Sequence, residues 1–277
     1  MLSRMETRKL LAFDLDQTIV TEANEVPAPI LDAISRARAA GHLVAVLTGR
    51  PLAAAQPILD QLGLSSHYSV NHGALVIGDP GDVLRHTRMP WSDVTAVLGP
   101  ERDTSLEYSC VVDDTLYVRN PGDDRWSWVH SRNRFVAQFR MDLNLEADKV
   151  IFSSDADPYD PERNRAYGQA EDLETEILNS FPHLVTYLWG NGYLEVTGQN
   201  SDKGTALEIL SRQLGVHQRD TIAFGDGLND LSMFQWAGYS VAVGPHAHQR
   251  VLAIASEHVA PPEEGGVSSW LEHNLGI

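Results

Sequence analysis

The segment Phe13-Asp14-Leu15-Asp16-Gln17-Thr18 places two carboxylates at i and i+2 directly after the apolar run Lys9-Leu10-Leu11-Ala12-Phe13. The run reads as a buried parallel strand, and extended backbone sends residues two apart to the same side. Open α/β sheets bind ligands at the carboxyl ends of their strands, so Asp14 and Asp16 are expected to project into an active-site crevice. A merely polar loop has little need of two aligned acids flanked by Phe13 and Ile19.

A second acidic fragment, Gly225-Asp226-Gly227-Leu228-Asn229-Asp230, follows another apolar run, Thr221-Ile222-Ala223-Phe224. Its glycines let backbone approach an ion, and its acids supply oxygen ligands. Asp14 and Asp226 on neighbouring strand ends would make a hard-oxygen site of the kind Mg²⁺ favours, with few protein ligands and room for substrate oxygens. Without a cation, such packing would be strongly repulsive. Thr48-Gly49-Arg50 ends a further apolar run, and Ser201-Asp202-Lys203-Gly204 opens a helix. A hydroxyl, N–H groups at a helix start and a lysine together form a cradle for a phosphoryl group. Taken singly, Lys203 would be a solvated helix residue and Thr48 a turn residue.

The elements that must hold these groups follow from periodicity. Pro29 to Gly41 has Ile30, Ile34 and Ala37 on one face, with proline near its start and glycine past its end, the signals of a helix. Leu43 to Leu47 predicts a strand, Leu52 to Leu62 a helix closed by Gly63, and Tyr68 to Val70 a third strand. The βαβαβ order implies a doubly wound, Rossmann-like parallel sheet with right-handed crossovers. The rhythm returns late: a helix from Lys203 to Leu214, the strand before Asp226, a helix near Leu228 to Trp236, strands at Ser240 to Val243 and His258 to Ala260, and a terminal helix from Val267. Between the halves the pattern shortens, with strands expected at Ser109 to Val112, Leu116 to Val118 and Lys149 to Ser153, and helices at Arg125 to Phe139 and Glu171 to Asn179. Residues 1–82 and 194–277 are therefore read as a core domain, and residues 83–193 as an α/β cap inserted into it.

The 277 residues carry 21 Lys or Arg against 38 Asp or Glu, a formal net charge of −17. That balance excludes a general nucleic-acid binder, which depends on basic patches to neutralise phosphates. No run approaches the ~18 apolar residues that span a bilayer, and the polar, basic start at Met1 to Lys9 does not resemble a signal peptide. The single cysteine, Cys110, forms no intramolecular disulfide and fits a reducing compartment, so a cytoplasmic location is expected.

In this chain order the four fragments resemble the motifs of the haloacid dehalogenase superfamily: Asp-x-Asp-x-Thr, Thr-Gly-Arg, Lys-Gly-x-Ala-Leu and Gly-Asp-Gly-x-Asn-Asp. The last motif and the placement of the insert resemble its Cof-type branch, which carries a large α/β cap. The resemblance covers the two ends, about half of the chain. It implies that Asp14 is the nucleophile and Asp16 the general acid and base, starting protonated, with a pKa raised relative to that of Asp14. It further implies that Mg²⁺ is held by Asp14, the backbone carbonyl of Asp16 and Asp226, with Asp230 bracing the site. Thr48, Gly49, Arg50 and Lys203 would bind the phosphoryl group, and Asn229 joins the site in a less defined role. The implied activity is that of a phosphatase acting through an aspartyl-phosphate on a small phosphorylated metabolite, with a sugar phosphate as the leading class. A phosphomutase is the nearest alternative, and a non-catalytic phosphometabolite-binding protein a more remote one. The chain departs from the pattern at Gln17, where glycine is usual, and in Asn71-His72-Gly73-Ala74, where His72 interrupts an Asn-Gly-Ala hinge. Trp189, Asn191 and Tyr187, near the return from the insert, are the expected substrate-facing cap residues. The sequence leaves the oligomeric state open.

Overall fold

The computed structural model describes residues 8–99, 106–122, 126, 134–153, 162–189 and 192–277. Strand β1 (Leu10–Phe13) is wholly buried and leads through helix α1 (Ala28–Ala39) to β2 (Leu43–Leu47). Helix α2 (Leu52–Gln61) then precedes β3 (Tyr68–Val70), β4 (Leu75–Ile77) and β5 (Val83–His86). Next come α3 (Trp91–Leu98), β6 (Glu107–Val112), β7 (Thr115–Val118), β8 (Phe135–Gln138), β9 (Lys149–Ser153), α4 (Glu162–Ser180), β10 (Val185–Trp189) and β11 (Tyr193–Thr197). The chain continues through α5 (Lys203–Leu214), β12 (Thr221–Gly225), α6 (Leu231–Trp236), β13 (Tyr239–Val243), α7 (Gln249–Leu252), β14 (Glu257–Val259) and α8 (Gly266–Leu275).

Two compact units result. Among the described residues, one holds the chain up to Arg50, Ala55–His86 and Asp202–Ile277, and the other holds Pro51–Ala54 and Thr87–Ser201. The first is built on an eight-stranded sheet of order β14-β13-β12-β1-β2-β3-β4-β5. From β14 to β3 the pairs are parallel, as the alternating strand and helix pattern predicts. Strands β4 and β5 extend this sheet as an antiparallel edge, which the sequence reading did not separate from loop and insert. Strand β4 is an apolar run of only three residues, and β5 is polar in part and half exposed, so neither has the apolar length of a buried strand.

The second unit has a six-stranded sheet of order β10-β11-β9-β6-β7-β8, antiparallel except for the β7–β8 pair. Val94, Val97 and Leu98 of α3 and Ala170, Leu173 and Ile177 of α4 share a core with Cys110, Val150, Phe152, Leu194 and Val196 of the sheet. The insert expected at 83–193 thus begins later and ends later, since β5 pairs with β4, and Tyr193–Thr197 pairs with β9 and β10. The helix expected at Arg125 to Phe139 is a strand where it is described. Phe135 N–H donates to Asp114 O at 2.9 Å and Phe139 N–H to Val118 O at 2.8 Å, so pairing with β7 overrides the helical pattern. The remainder of that span, including Trp128, lies outside the described residues apart from Trp126, which is buried. Among the described residues no helix is long and apolar enough to cross a membrane.

Candidate active site

Strand β1 lies between β12 and β2, with Phe13 opposite both Phe224 and Val46. This register is locked by stacking of the Phe13 and Phe224 rings, 4.7 Å between centroids. Three adjacent parallel strands therefore end level with one another, and the residues that follow them, Asp14, Thr48 and Asp226, gather at one edge of the sheet. Asp14 N–H continues the ladder to Phe224 O at 3.0 Å. Beyond it the chain turns sharply, with Ile19 N–H reaching back to Leu15 O at 3.0 Å and Gln17 held at φ 56°. That left-handed conformation explains why glycine suits position 17 and why Gln17 is strained there.

Lys203 arrives from α5. Asp202 caps this helix, its Oδ1 accepting from Thr205 N–H at 2.9 Å, and Gly215 closes it in the left-handed conformation. Gly204 lets α5 press against α6, because a Cβ there would fall 2.5 Å from Ser232 O. The approach buries Lys203 completely, and its Nζ lies 2.6 Å from both Asp14 Oδ1 and Asp230 Oδ1. Asp230 Oδ2 in turn accepts from the N–H groups of Asp226 and Gly227, each at 2.9 Å, which shapes the loop after β12. Thr18 Oγ1 donates to Asp226 Oδ1 at 3.2 Å. Thr18 belongs to the first motif, yet its spacing alone gave no reason to assign it this contact.

Asp14, Asp226 and Asp230 each offer one carboxylate oxygen within 4.8 Å of the others, a donor set that suits a hard divalent cation. Burial pushes the Asp14 carboxyl well above the usual carboxylate range, against the pull of Lys203, and neighbouring acids add to the rise. Burial, reinforced by Asp230, likewise pushes Asp226 up to about 7. Burial alone would lower Lys203, but Asp14 and Asp230 more than offset it and hold the ammonium above its ordinary value. One lysine among three carboxylates leaves negative charge uncompensated, and a divalent cation would balance it.

Asp16 is placed differently. Its two oxygens accept from Arg50, Nε at 2.9 Å on Oδ2 and Nη2 on Oδ1. Thr48 is fully buried, and its Oγ1 accepts from Arg50 N–H at 3.1 Å. His72 enters the same site. Its N–H donates to Thr48 O at 3.0 Å, and Asn229 Nδ2 donates to its Nδ1 at 3.3 Å. The interruption of Asn-Gly-Ala was the only sequence signal for it.

The cap candidates fare less evenly. Tyr187 is buried in β10, and its hydroxyl donates to Ser201 O at 3.0 Å, so it is a packed and anchored residue rather than a free crevice side chain. Trp189 ends β10, half-buried. Asn191 lies outside the described residues.

Comparison with known proteins agrees with this geometry. The family model for haloacid dehalogenase-like hydrolases matches residues 11–271. A Serratia proteamaculans protein named HMP-PP phosphatase is 28% identical over 96% of this chain and 95% of its own. A Bacillus subtilis protein named 5-amino-6-(5-phospho-D-ribitylamino)uracil phosphatase is 27% identical over 99% of this chain and 100% of its own. Among solved structures, a sugar phosphatase of HAD subclass IIB superposes with a TM-score of 0.78 at 25% identity, covering 96% of this chain and 98% of that one. With its motifs on adjacent strand ends and the family pattern running through nearly its whole length, the chain belongs to the haloacid dehalogenase-like hydrolases.

Proposed function

We propose that the protein is a Mg²⁺-dependent phosphatase that hydrolyses a small phosphorylated metabolite through an aspartyl-phosphate on Asp14. The observation that carries this reading is the Asp14 carboxylate at the end of β1, 2.6 Å from the buried Lys203 ammonium and grouped with Asp226 and Asp230. Asp14 attacks phosphorus in line, the bond to the leaving oxygen breaks, and Asp16, released from Arg50 and protonated, gives its proton to the departing alkoxide. Asp16 then takes a proton from the water that cleaves the Asp14–phosphoryl bond, which returns the enzyme to its starting state and releases inorganic phosphate. Thr48, the Gly49 N–H, Lys203 and Asn229 bind phosphoryl oxygens, and Lys203 offsets charge on the nucleophile. Asp14, Asp226 and the carbonyl of Asp16 would hold Mg²⁺, with Asp230 bracing them. The cation would supply charge neutralisation that favours ionised Asp14 and an electron-poor phosphorus.

Proteins named as an HMP-PP phosphatase, a 5-amino-6-(5-phospho-D-ribitylamino)uracil phosphatase and a sugar phosphatase support a small phosphorylated metabolite as the substrate class. A sugar phosphate is the leading class for this chain. The test is phosphate release from a panel of sugar, polyol and nucleotide phosphates with p-nitrophenyl phosphate as reference. EDTA should abolish release, Mg²⁺ restore it, and Asp14→Asn lower kcat about a thousandfold or more with the fold retained. Activity of Asp14→Asn near that of the wild type would refute the covalent mechanism. Transfer of phosphate to a second hydroxyl without net release would favour a phosphomutase.

A further inference from the structure

His72 stands in the core site and has no part in the chemistry set out above. Its side chain is buried, at 1% exposure. Asn71 and His72 are held at φ 50° and 57°, consecutive left-handed residues that the surrounding contacts must enforce. The imidazole presses on Gly49: a Cβ built there would lie 2.3 Å from Cε1, 2.8 Å from Nε2 and 2.9 Å from Nδ1. Only glycine at position 49 admits the ring. On its other side the ring meets Asn229, 157 residues away in sequence, with Nδ2 and Nδ1 3.3 Å apart. An amide nitrogen only donates, so Nδ1 accepts, and the neutral ring carries its proton on Nε2. One side chain thus spans the turn after β2 and the segment after β12.

We infer that His72 is a positioning residue for Asn229, its Nδ1 holding the Asn229 carboxamide in one orientation while its ring and N–H hold the Thr48–Gly49–Arg50 turn. The kinetic part rests on the phosphatase reading, in which Asn229 and Thr48 bind the phosphoryl group. Two groups that bind one tetrahedral ligand from opposite halves of the chain must be held relative to each other, and His72 is a direct bridge between them.

Two substitutions separate this role from packing. His72→Phe keeps the ring volume and removes the acceptor. His72→Asn is smaller, but it puts Oδ1 near the place of Nδ1 and suits left-handed backbone. His72→Phe should lower kcat/KM for p-nitrophenyl phosphate about tenfold, His72→Asn should recover most of that loss, and His72→Phe should add nothing in an Asn229→Ala background. If Phe retains activity and Asn loses it, His72 is a packing residue and the inference is overturned. A second measurement needs neither turnover nor the Phe variant. Long-range ¹H–¹⁵N spectra of the wild type at neutral pH should show His72 as the Nε2–H tautomer, with its Nδ1 resonance moved by Asn229→Ala. An Nδ1–H tautomer would overturn the inference. Should the wild type release no phosphate from any ester, the phosphatase reading falls, and the tautomer decides for or against the His72–Asn229 bond.

Discussion

Burying Asp14 and Asp226 at the strand ends sets the needs of folding against those of chemistry. A carboxyl whose folded pKa is raised holds its proton more tightly when folded, so its contribution to stability is complete below its unfolded value and is lost as pH rises through the folded value. For Asp226 the window runs from the ordinary 3.8 to about 7, and Asp14 acts in the same direction. In EDTA, the wild type should therefore lose more stability than Asp226→Asn between pH 4.5 and 7.5, as read by urea unfolding at the two pH values. Mg²⁺ at pH 7.5 should recover the difference for the wild type and not for the variant. Identical pH dependence of the two proteins would show that Asp226 is not the group under strain. Buried carboxylates that cost stability when unliganded fit the proposed site organised around a cation.

Helix α5 sets the position of Lys203, and the Asp202 cap sets where α5 begins. The cap satisfies Thr205 N–H, and the Thr205 hydroxyl also donates to Asp202 Oδ2 at 2.7 Å. Removing it by Asp202→Ala should cost about 1 kcal/mol of stability, and Asp202→Asn should cost much less because the amide oxygen still caps. If the helix start also aligns Lys203 with Asp14 and Asp230, Asp202→Ala raises KM for p-nitrophenyl phosphate while Asp202→Asn leaves it near the wild-type value. Thermal unfolding and steady-state kinetics on the two variants check both statements. A loss of stability with unchanged KM would confine the cap to folding.

In the molecule as a whole, the residues proposed to make and break bonds, Asp14 and Asp16, and the proposed phosphoryl-binding Thr48, Lys203 and Asn229 all belong to the unit of the eight-stranded sheet. The proposed division of labour gives the first unit the reaction and the second the choice of substrate. Trp189→Ala should change the ratio of kcat/KM between metabolite phosphates and leave p-nitrophenyl phosphate hydrolysis largely intact, whereas an equal loss on every ester would place Trp189 in the packing of the fold. Cys110 reports on the second unit's integrity. It is buried, and burial pushes its thiol up to about 12, so it is neither exposed nor ionised near neutral pH. Native protein at pH 8 should resist iodoacetamide and react once urea unfolds the unit, a contrast that mass spectrometry resolves. Rapid labelling under native conditions would mean that the core shared by α3, α4 and the six-stranded sheet opens readily.

The doubly wound core was legible because its elements announce themselves locally. Leu10 to Phe13, Leu43 to Leu47 and Thr221 to Phe224 are continuous apolar runs ended by functional residues, and the helices between them carry their own start and stop signals. The same runs disclosed Asp14, Asp16, Thr48 and Asp226 as candidates, since strand ends are where such a sheet can use them, and the start of the late helix disclosed Lys203. What local pattern could not carry was pairing. The β4–β5 edge and the strand at Phe135–Gln138 are short segments that become strands by pairing with neighbouring strands, which no periodicity of their own signals. The partners within the site were equally hidden. Arg50 on Asp16, Thr18 on Asp226 and His72 between Gly49 and Asn229 join residues tens to hundreds of positions apart. Residue types and spacing determined which groups are present, and the packing of adjacent strand ends decided which of them touch, because contact depends on register and close approach rather than on separation along the chain.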